Sequence, residues 1–378
     1  MDVYEDEKNY LRKDLKGEST GDAVFDQLIS REDVIYTAHT AFYTDRAIFN
    51  MIETTVENLW EYGQTGSCAH ELTSESVYRD KGYKIREKRD LDMEKEFDIL
   101  TGAKRLDEVR FSKIRTVMDM VADLRAKGEK VLALSAGEPD FDTPAPIKEA
   151  VIKALEENYT HYGSNRGYPA LRKLLSEKLE KETGVSYDPE TEIIFTTGGA
   201  EALNNAFMAV VDPGDEVIVF SPAFITYENL VHMCGAKLVK VPLKKENNYQ
   251  IDMDDLKAAV TDKTKLLVMN NPNNPTGAVY SKECLEQVCE LAKEKNFLIL
   301  SDEMYSRLVY GDGKFYSIAS FPDMKERTII INGFSKTYAM TGWRVGYVAA
   351  PAKLLPSILK VHQYCSTCCP TFIHVGLA

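Results

Sequence analysis

From about Leu106 onward, short unbroken apolar runs alternate with stretches whose apolar residues recur at helical spacing. The runs EIIFTT (192–197), EVIVFS (216–221), KLVKVP (237–242), KLLVMN (265–270), FLILSD (297–302) and RTIIIN (327–332) predict six strands. Each ends at or just before a Gly, Pro, Ser, Asp or Asn, and most are followed by helical segments such as ALNNAFMAVV and KECLEQVCELAKEK. Strands apolar on both faces and separated by helices predict an α/β fold with a mostly parallel central sheet covered by helices. Ligands of such folds gather beyond the carboxyl ends of the strands, so the residues that close each run carry the functional argument.

Ahead of that region the pattern changes twice. Residues 1–70 mix short apolar runs with one amphipathic segment, Asp45 to Tyr62, where Ile48, Met51, Ile52, Val56, Leu59 and Trp60 recur at helical spacing. Residues 71–104 are crowded with charge of both signs and read as a linker, leaving 105–378 as the α/β unit. The whole chain has a net charge of −13, which argues against a nucleic-acid or anionic-membrane partner and favours a small-molecule substrate. No run of apolar residues is long enough to span a bilayer, and the acidic start MDVYEDEKNY is unlike a secretory leader, so a cytoplasmic location is expected. Seven cysteines, an odd number, point to reduced thiols; Cys365, Cys368 and Cys369 hold one CxxC spacing without a second pair and read as packed thiols, not a zinc site.

The strand ends supply a set of chemically distinct groups. In TTGGAEAL two glycines, Gly198 and Gly199, follow a strand and open a helix, a pattern that aims free N–H groups at an anion. Phe224 in SPAFITY can stack on a flat ligand, and Asn274 in the proline-stiffened NNPNNPTG can donate from its amide. Asp302 closes a buried strand, where a carboxylate needs a cation or a ring N–H, and Tyr305 lies three residues on. Lys336 follows the last run beside Ser335, with Arg344 eight positions later and no acid between. A second cation and a partly dry wall lower a lysine's pKa toward nucleophilic use. Amine, anion cradle, carboxylate and phenol together are what pyridoxal phosphate requires of a protein.

Seven pieces, SAGEPDFDTP, THYGSNRGYPALR, TTGGAEAL, SPAFITY, NNPNNPTG, SDEMYSRLVY and NGFSKTYAMTGWRVGY, occur in an order that resembles the class I and II aminotransferases of the aspartate aminotransferase fold. The resemblance implies pyridoxal 5'-phosphate as cofactor, an amino acid and a 2-oxo acid as substrates, and a homodimer. It implies Lys336 as the Schiff-base lysine, Asp302 as partner of the pyridine nitrogen, and Tyr305 and Asn274 on the phenolic oxygen. Phe224 would stack on the ring. Gly199, Ala200 and Glu201 would offer backbone N–H groups to the phosphate, with Ser335 and Arg344 as further ligands and Tyr162 reaching the phosphate of the neighbouring subunit. Gly137 and Asn274 would lie beside the substrate.

Two departures go with the resemblance. The family extends beyond HVGLA, with the rest of a small domain and an arginine for the substrate carboxylate, so the small domain is expected to be incomplete and apolar residues between Phe111 and Leu124 exposed. Residues 1–70 resemble the carboxyl-terminal part of D-2-hydroxyacid dehydrogenases of the D-lactate type, with Glu7 and His39 at the matching acid and histidine, yet without the coenzyme loop that hydride transfer needs. Two other readings accompany the aminotransferase one: β-elimination from a sulfur amino acid on the same cofactor, and a catalytically silent cofactor-binding protein.

Overall fold

The computed structural model describes residues 102–131, 133 and 137–378. The dehydrogenase-like residues 1–70, the helix predicted over Asp45 to Tyr62 and nearly all of the charged linker lie outside the described residues. Before the sheet come α1 (Lys113–Ala126), α2 (Ala145–Glu156) and α3 (Pro169–Thr183). Proline in the first turn of α2 and of α3 suits positions whose N–H groups have no helical partner, and Gly184, at φ 75°, ends α3 in the left-handed conformation. Phe111 is 99% exposed, and Ile114, Val117, Met120 and Leu124 of α1 are exposed as well, as expected from the family resemblance.

The remaining elements follow as β1 (Ile193–Thr196), α4 (Gly198–Val210), β2 (Glu216–Ser221), α5 (Thr226–Met233), β3 (Lys237–Pro242), α6 (Met253–Ala259), β4 (Thr264–Asn270), α7 (Lys282–Lys295), β5 (Leu298–Asp302), β6 (Thr328–Gly333), β7 (Gly346–Ala349), α8 (Leu355–Ser366) and α9 (Thr371–Leu377). All six predicted strands are present. The sheet runs β1-β7-β6-β5-β4-β2-β3, with β2, β3, β4, β5 and β6 joined in parallel and β7 antiparallel to both neighbours. That seventh strand is the one the sequence pattern did not predict: four residues opening on a glycine are too few to show a period.

Alternate residues of each strand feed opposite faces, as the period of two demands. Val268, Leu300, Ile329 and Ile331 pack with α4, α5 and α8 on one side. Leu267, Met269 and Ile299 pack with Leu285, Val288 and Leu291 of α7 on the other. Each fully buried aliphatic side chain contributes about 1.5–3 kcal/mol. Helix α7 begins under a Ser281 cap, whose Oγ accepts from the Cys284 N–H, and ends at left-handed Asn296. The central strands β4, β5 and β6 are therefore held rigidly in register, and their carboxyl ends form a fixed platform.

Candidate active site

Asn270, Asp302 and Ile331 sit side by side where β4, β5 and β6 end. Asn270 Nδ2 donates to the Asp302 carbonyl at 3.0 Å, and its Oδ1 accepts from the Asn274 N–H at 2.6 Å. This ties the NNPNNPTG loop to the sheet edge. Asn274 Nδ2 in turn lies 3.4 Å from the Tyr305 hydroxyl, a long hydrogen bond that joins the two groups expected to share one oxygen.

Asp302 is 6% exposed. Its Oδ2 accepts from the Tyr227 hydroxyl at 2.7 Å and its Oδ1 from the Met304 N–H at 3.1 Å. Burial pushes the carboxyl pKa up, while these two donors pull it back. The ring of Phe224 meets Tyr227 edge-on at 5.7 Å between centroids, so the expected stacking residue is braced by the tyrosine that holds Asp302. Tyr227 stands in the quoted SPAFITY, three residues beyond Phe224, and sequence reasoning passed over it; nothing in the motif tells which of its two rings faces a strand end 75 residues away.

Lys336 lies in the turn between β6 and β7, half-buried, and its Nζ donates to the Gly137 carbonyl at 2.5 Å. Burial lowers its pKa, Glu138 opposes this and Arg344 adds to it, leaving the amine below the ordinary lysine value. Further contacts fasten residues 137–143 over the Lys336 turn. Thr341 Oγ1 donates to Glu138, Thr143 Oγ1 to the Ala339 carbonyl at 2.6 Å, and Trp343 Nε1 to Thr143 Oγ1 at 3.0 Å. With some 200 residues between the partners, no local pattern marks these contacts in the sequence.

The N-terminus of α4 lies against the far end of the same turn. Gly198 is at φ 79°, and a Cβ on it would press into the Arg344 guanidinium. A Cβ on Gly346 would come within 2.5 Å of the Gly198 carbonyl carbon and 2.7 Å of the Gly199 nitrogen, so both positions exclude side chains. Arg344 is held by its own Nη1 bond to the Thr341 carbonyl at 2.9 Å, and Ser335 is buried close by in sequence. Glu201, expected to offer its backbone N–H, also folds its side chain back to accept from the Thr197 N–H at 2.5 Å. Tyr162, 89% exposed, lines with Thr197, Cys368, Cys369 and Thr371 a cleft of about 500 Å³.

These residues fit pyridoxal phosphate on two observations. The glycine pair leaves a cradle of N–H groups beside a guanidinium, where any Cβ would intrude, and the buried carboxylate of Asp302 has room in its donor set for one ring N–H. A half-buried lysine in the turn after β6 and a buried carboxylate at the end of the adjacent parallel strand β5 are what an α/β pyridoxal-phosphate enzyme requires.

Comparison with known proteins takes the assignment further. Residues 129–373 match the model of the family described as aminotransferase class I and II. The chain belongs to this family, and its activity is amino-group transfer dependent on pyridoxal 5'-phosphate. It is 44% identical over 274 residues to an aspartate aminotransferase of Pyrococcus abyssi, covering 72% of this chain and 69% of that enzyme. It is 42% identical over 274 residues to aromatic-amino-acid aminotransferase 2 of Thermococcus litoralis, with coverage of 72% and 69%. The solved aspartate aminotransferase from Thermus thermophilus with maleate superposes with a TM-score of 0.70 at 40% identity, over 73% of this chain and 71% of that one. Such relatives favour neither β-elimination nor a silent binding protein.

Proposed function

We propose that the chain moves an amino group from an L-amino acid to a 2-oxo acid with Lys336 as the working amine. The observation that carries this reading is the placement of half-buried Lys336 in the turn after β6, while Asp302, at the end of the adjoining β5, is sunk between Tyr227 and the Met304 amide. When bound, pyridoxal phosphate supplies an aldehyde that condenses with amines and a ring that takes up electron density from the substrate's α-carbon. Asp302 would keep a negative charge for the ring nitrogen. Asn274 and Tyr305 would hold the phenolic oxygen by hydrogen bonds, and Phe224 would cover the ring. The N–H groups of Gly199, Ala200 and Glu201, with Ser335 and Arg344, would hold the phosphate. Lys336 would carry the α-proton, a task that needs the neutral amine its environment favours.

The names of the relatives support an acidic or aromatic amino acid as donor. The contacts of Gly137 with Lys336 and of Asn274 with Tyr305 support a role for both beside it. Tyr162, exposed on the cleft that reaches Thr197, suits the role of a tyrosine lent across a homodimer. The division into residues 1–70, 71–104 and 105–378, the first resembling a dehydrogenase without its coenzyme site, rests on the sequence alone. Purified full-length chain mixed with pyridoxal phosphate should develop a visible absorbance band and convert L-aspartate or L-tyrosine, with 2-oxoglutarate, to the matching 2-oxo acid. A chain whose spectrum and product mixture are the same with and without Lys336 defeats this reading.

A further inference from the structure

The carboxylate of Glu201 gathers donors from three places. Its Oε2 accepts from the Thr197 N–H at 2.5 Å, and its Oε1 accepts from Asn205 Nδ2 and Ser366 Oγ, each at 3.1 Å. His362 Nδ1 lies 2.7 Å from the same Oε1. His362 is completely buried on α8, and its Nε2 has no hydrogen-bond partner among the described residues, so the imidazole's polar contacts in α8 are spent on Glu201 and Ser366. Thr197 is the residue from which α4 departs, and the next two, Gly198 and Gly199, are the glycines packed on Gly346. One side of the first turn is thus set by backbone contact with β7, and the other by Glu201 anchored to α8.

An N–H array binds an anion well only if its groups already converge before the anion arrives. A carboxylate in the first turn of the helix could itself occupy that array and repel a phosphate. Here both of its oxygens are engaged by other groups, Thr197, Asn205, His362 and Ser366. Burial raises the pKa of Glu201, but the bonds from His362 and the Thr197 amide outweigh it and hold the carboxyl down at about 2, so the anion persists at neutral pH. We propose that Glu201 is a positioning residue for the cofactor's phosphate: clamped by His362 and Ser366 of α8, its side chain fixes Thr197 and the first turn of α4 in the phosphate-gripping arrangement. This rests on the reading of the α4 N-terminus as the phosphate cup.

The test compares pyridoxal phosphate with pyridoxal, which has the same aldehyde and ring but no phosphate. Full-length cofactor-free protein is titrated with each, following the visible band. For the unaltered chain, pyridoxal phosphate binds more tightly. In Glu201→Gln, which places an amide opposite the donors of Asn205 and His362, its affinity falls about tenfold, the effect of one charge-assisted hydrogen bond. Pyridoxal affinity stays within about twofold, so the ratio of the two constants collapses. His362→Gln and Ser366→Ala leave the carboxylate in place with one donor altered, and each lowers the ratio by a smaller factor, about threefold. These two carry the test if Glu201→Gln does not fold. Equal losses for both ligands, or none, overturn the proposal and leave Glu201 a purely structural residue. An unaltered chain that binds both ligands equally overturns the cup reading itself, and the proposal with it.

Discussion

Asp302 ends one strand and Lys336 follows its neighbour, yet they are held in opposite ways. Asp302 is sunk in the protein, its carboxylate fixed by a phenol from α5 and an amide of its own turn, its carbonyl by Asn270 and the Asn271 N–H. Lys336 is half-buried and touches one carbonyl, that of Gly137, in an exposed segment fastened by side-chain contacts. The difference suits the roles proposed for the two groups. A counter-charge works by staying still, so buried bonds that cannot be exchanged for water suit it. An amine that is consumed, released and reused needs contacts it can leave at little cost. Lys336→Ala is the severest way to break this comparison: amino transfer should fall by at least about 10⁴-fold in steady-state assays, since nucleophile and proton carrier are lost together. Its melting temperature should stay close to the parent's, because one replaceable hydrogen bond disappears.

Asp302→Asn keeps the shape and removes the charge. Turnover should fall by about 10²–10³-fold, the scale of losing a preorganised charge in a dry site. Melting should not worsen, since a neutral amide is easier to bury than a carboxylate. An Asp302→Asn enzyme with full turnover would erase the distinction drawn between the two groups.

How much of this was written in the sequence differs between the same two regions. Strands β4, β5 and β6 were legible because they are buried on both faces and carry unbroken apolar runs, and residues at or just past the ends of β4 and β5, Asn274, Asp302 and Tyr305, could be named from position. The Lys336 turn was legible as a motif, but its surroundings were not. Strand β7 opens on Gly346 and is too short for periodicity. The contacts of Glu138 with Thr341 and of Thr143 with Trp343 join residues some 200 apart. Glu201 shows the same limit: its place in TTGGAEAL was plain, whereas the direction of its side chain depends on His362 and Ser366, 161 and 165 residues later. Local pattern reveals what a strand presents at its end, and long-range packing decides what then holds it.

Tyr227→Phe sharpens the comparison without removing either group. One of the two donors to Asp302 disappears, and because that donor lowers the carboxyl's pKa, the pKa rises further. Protonation then competes at higher pH, so the acid limb of the rate profile should move to higher pH and turnover at neutral pH should drop by about tenfold. A uniform loss at all pH values would mean that Tyr227 serves only to brace Phe224. On the Lys336 side, Thr143→Val removes the donor to Ala339 and the acceptor for Trp343 together. The contacts are partly exposed, so the expected change is about twofold to fivefold, read as a raised KM with kcat nearly kept. Altered tryptophan fluorescence would report the loosened segment directly.

The smallest effect concerns the carboxyl beside Asp302. Glu303 is buried, and its Oε1 accepts from Ser317 Oγ at 2.6 Å and Ser301 Oγ at 3.1 Å. Burial raises its pKa from 4.5 to about 7, the two hydroxyls oppose the rise and the charge of Asp302 adds to it. Between those two values the folded chain holds more of this proton than the unfolded chain does. Its contribution to stability is therefore complete below pH 4.5 and is lost as pH rises through about 7. Glu303→Gln keeps one acceptor oxygen for the serines and removes the titration. The difference in unfolding free energy between parent and variant, measured by denaturant titration across pH 4 to 8, should shift toward the variant by on the order of 1 kcal/mol as pH rises. A pH-independent difference would mean that Glu303 does not titrate in this window. Two adjacent carboxyls would then both stay charged, and fixing a buried anion at the end of β5 would need more than the bonds that single out Asp302.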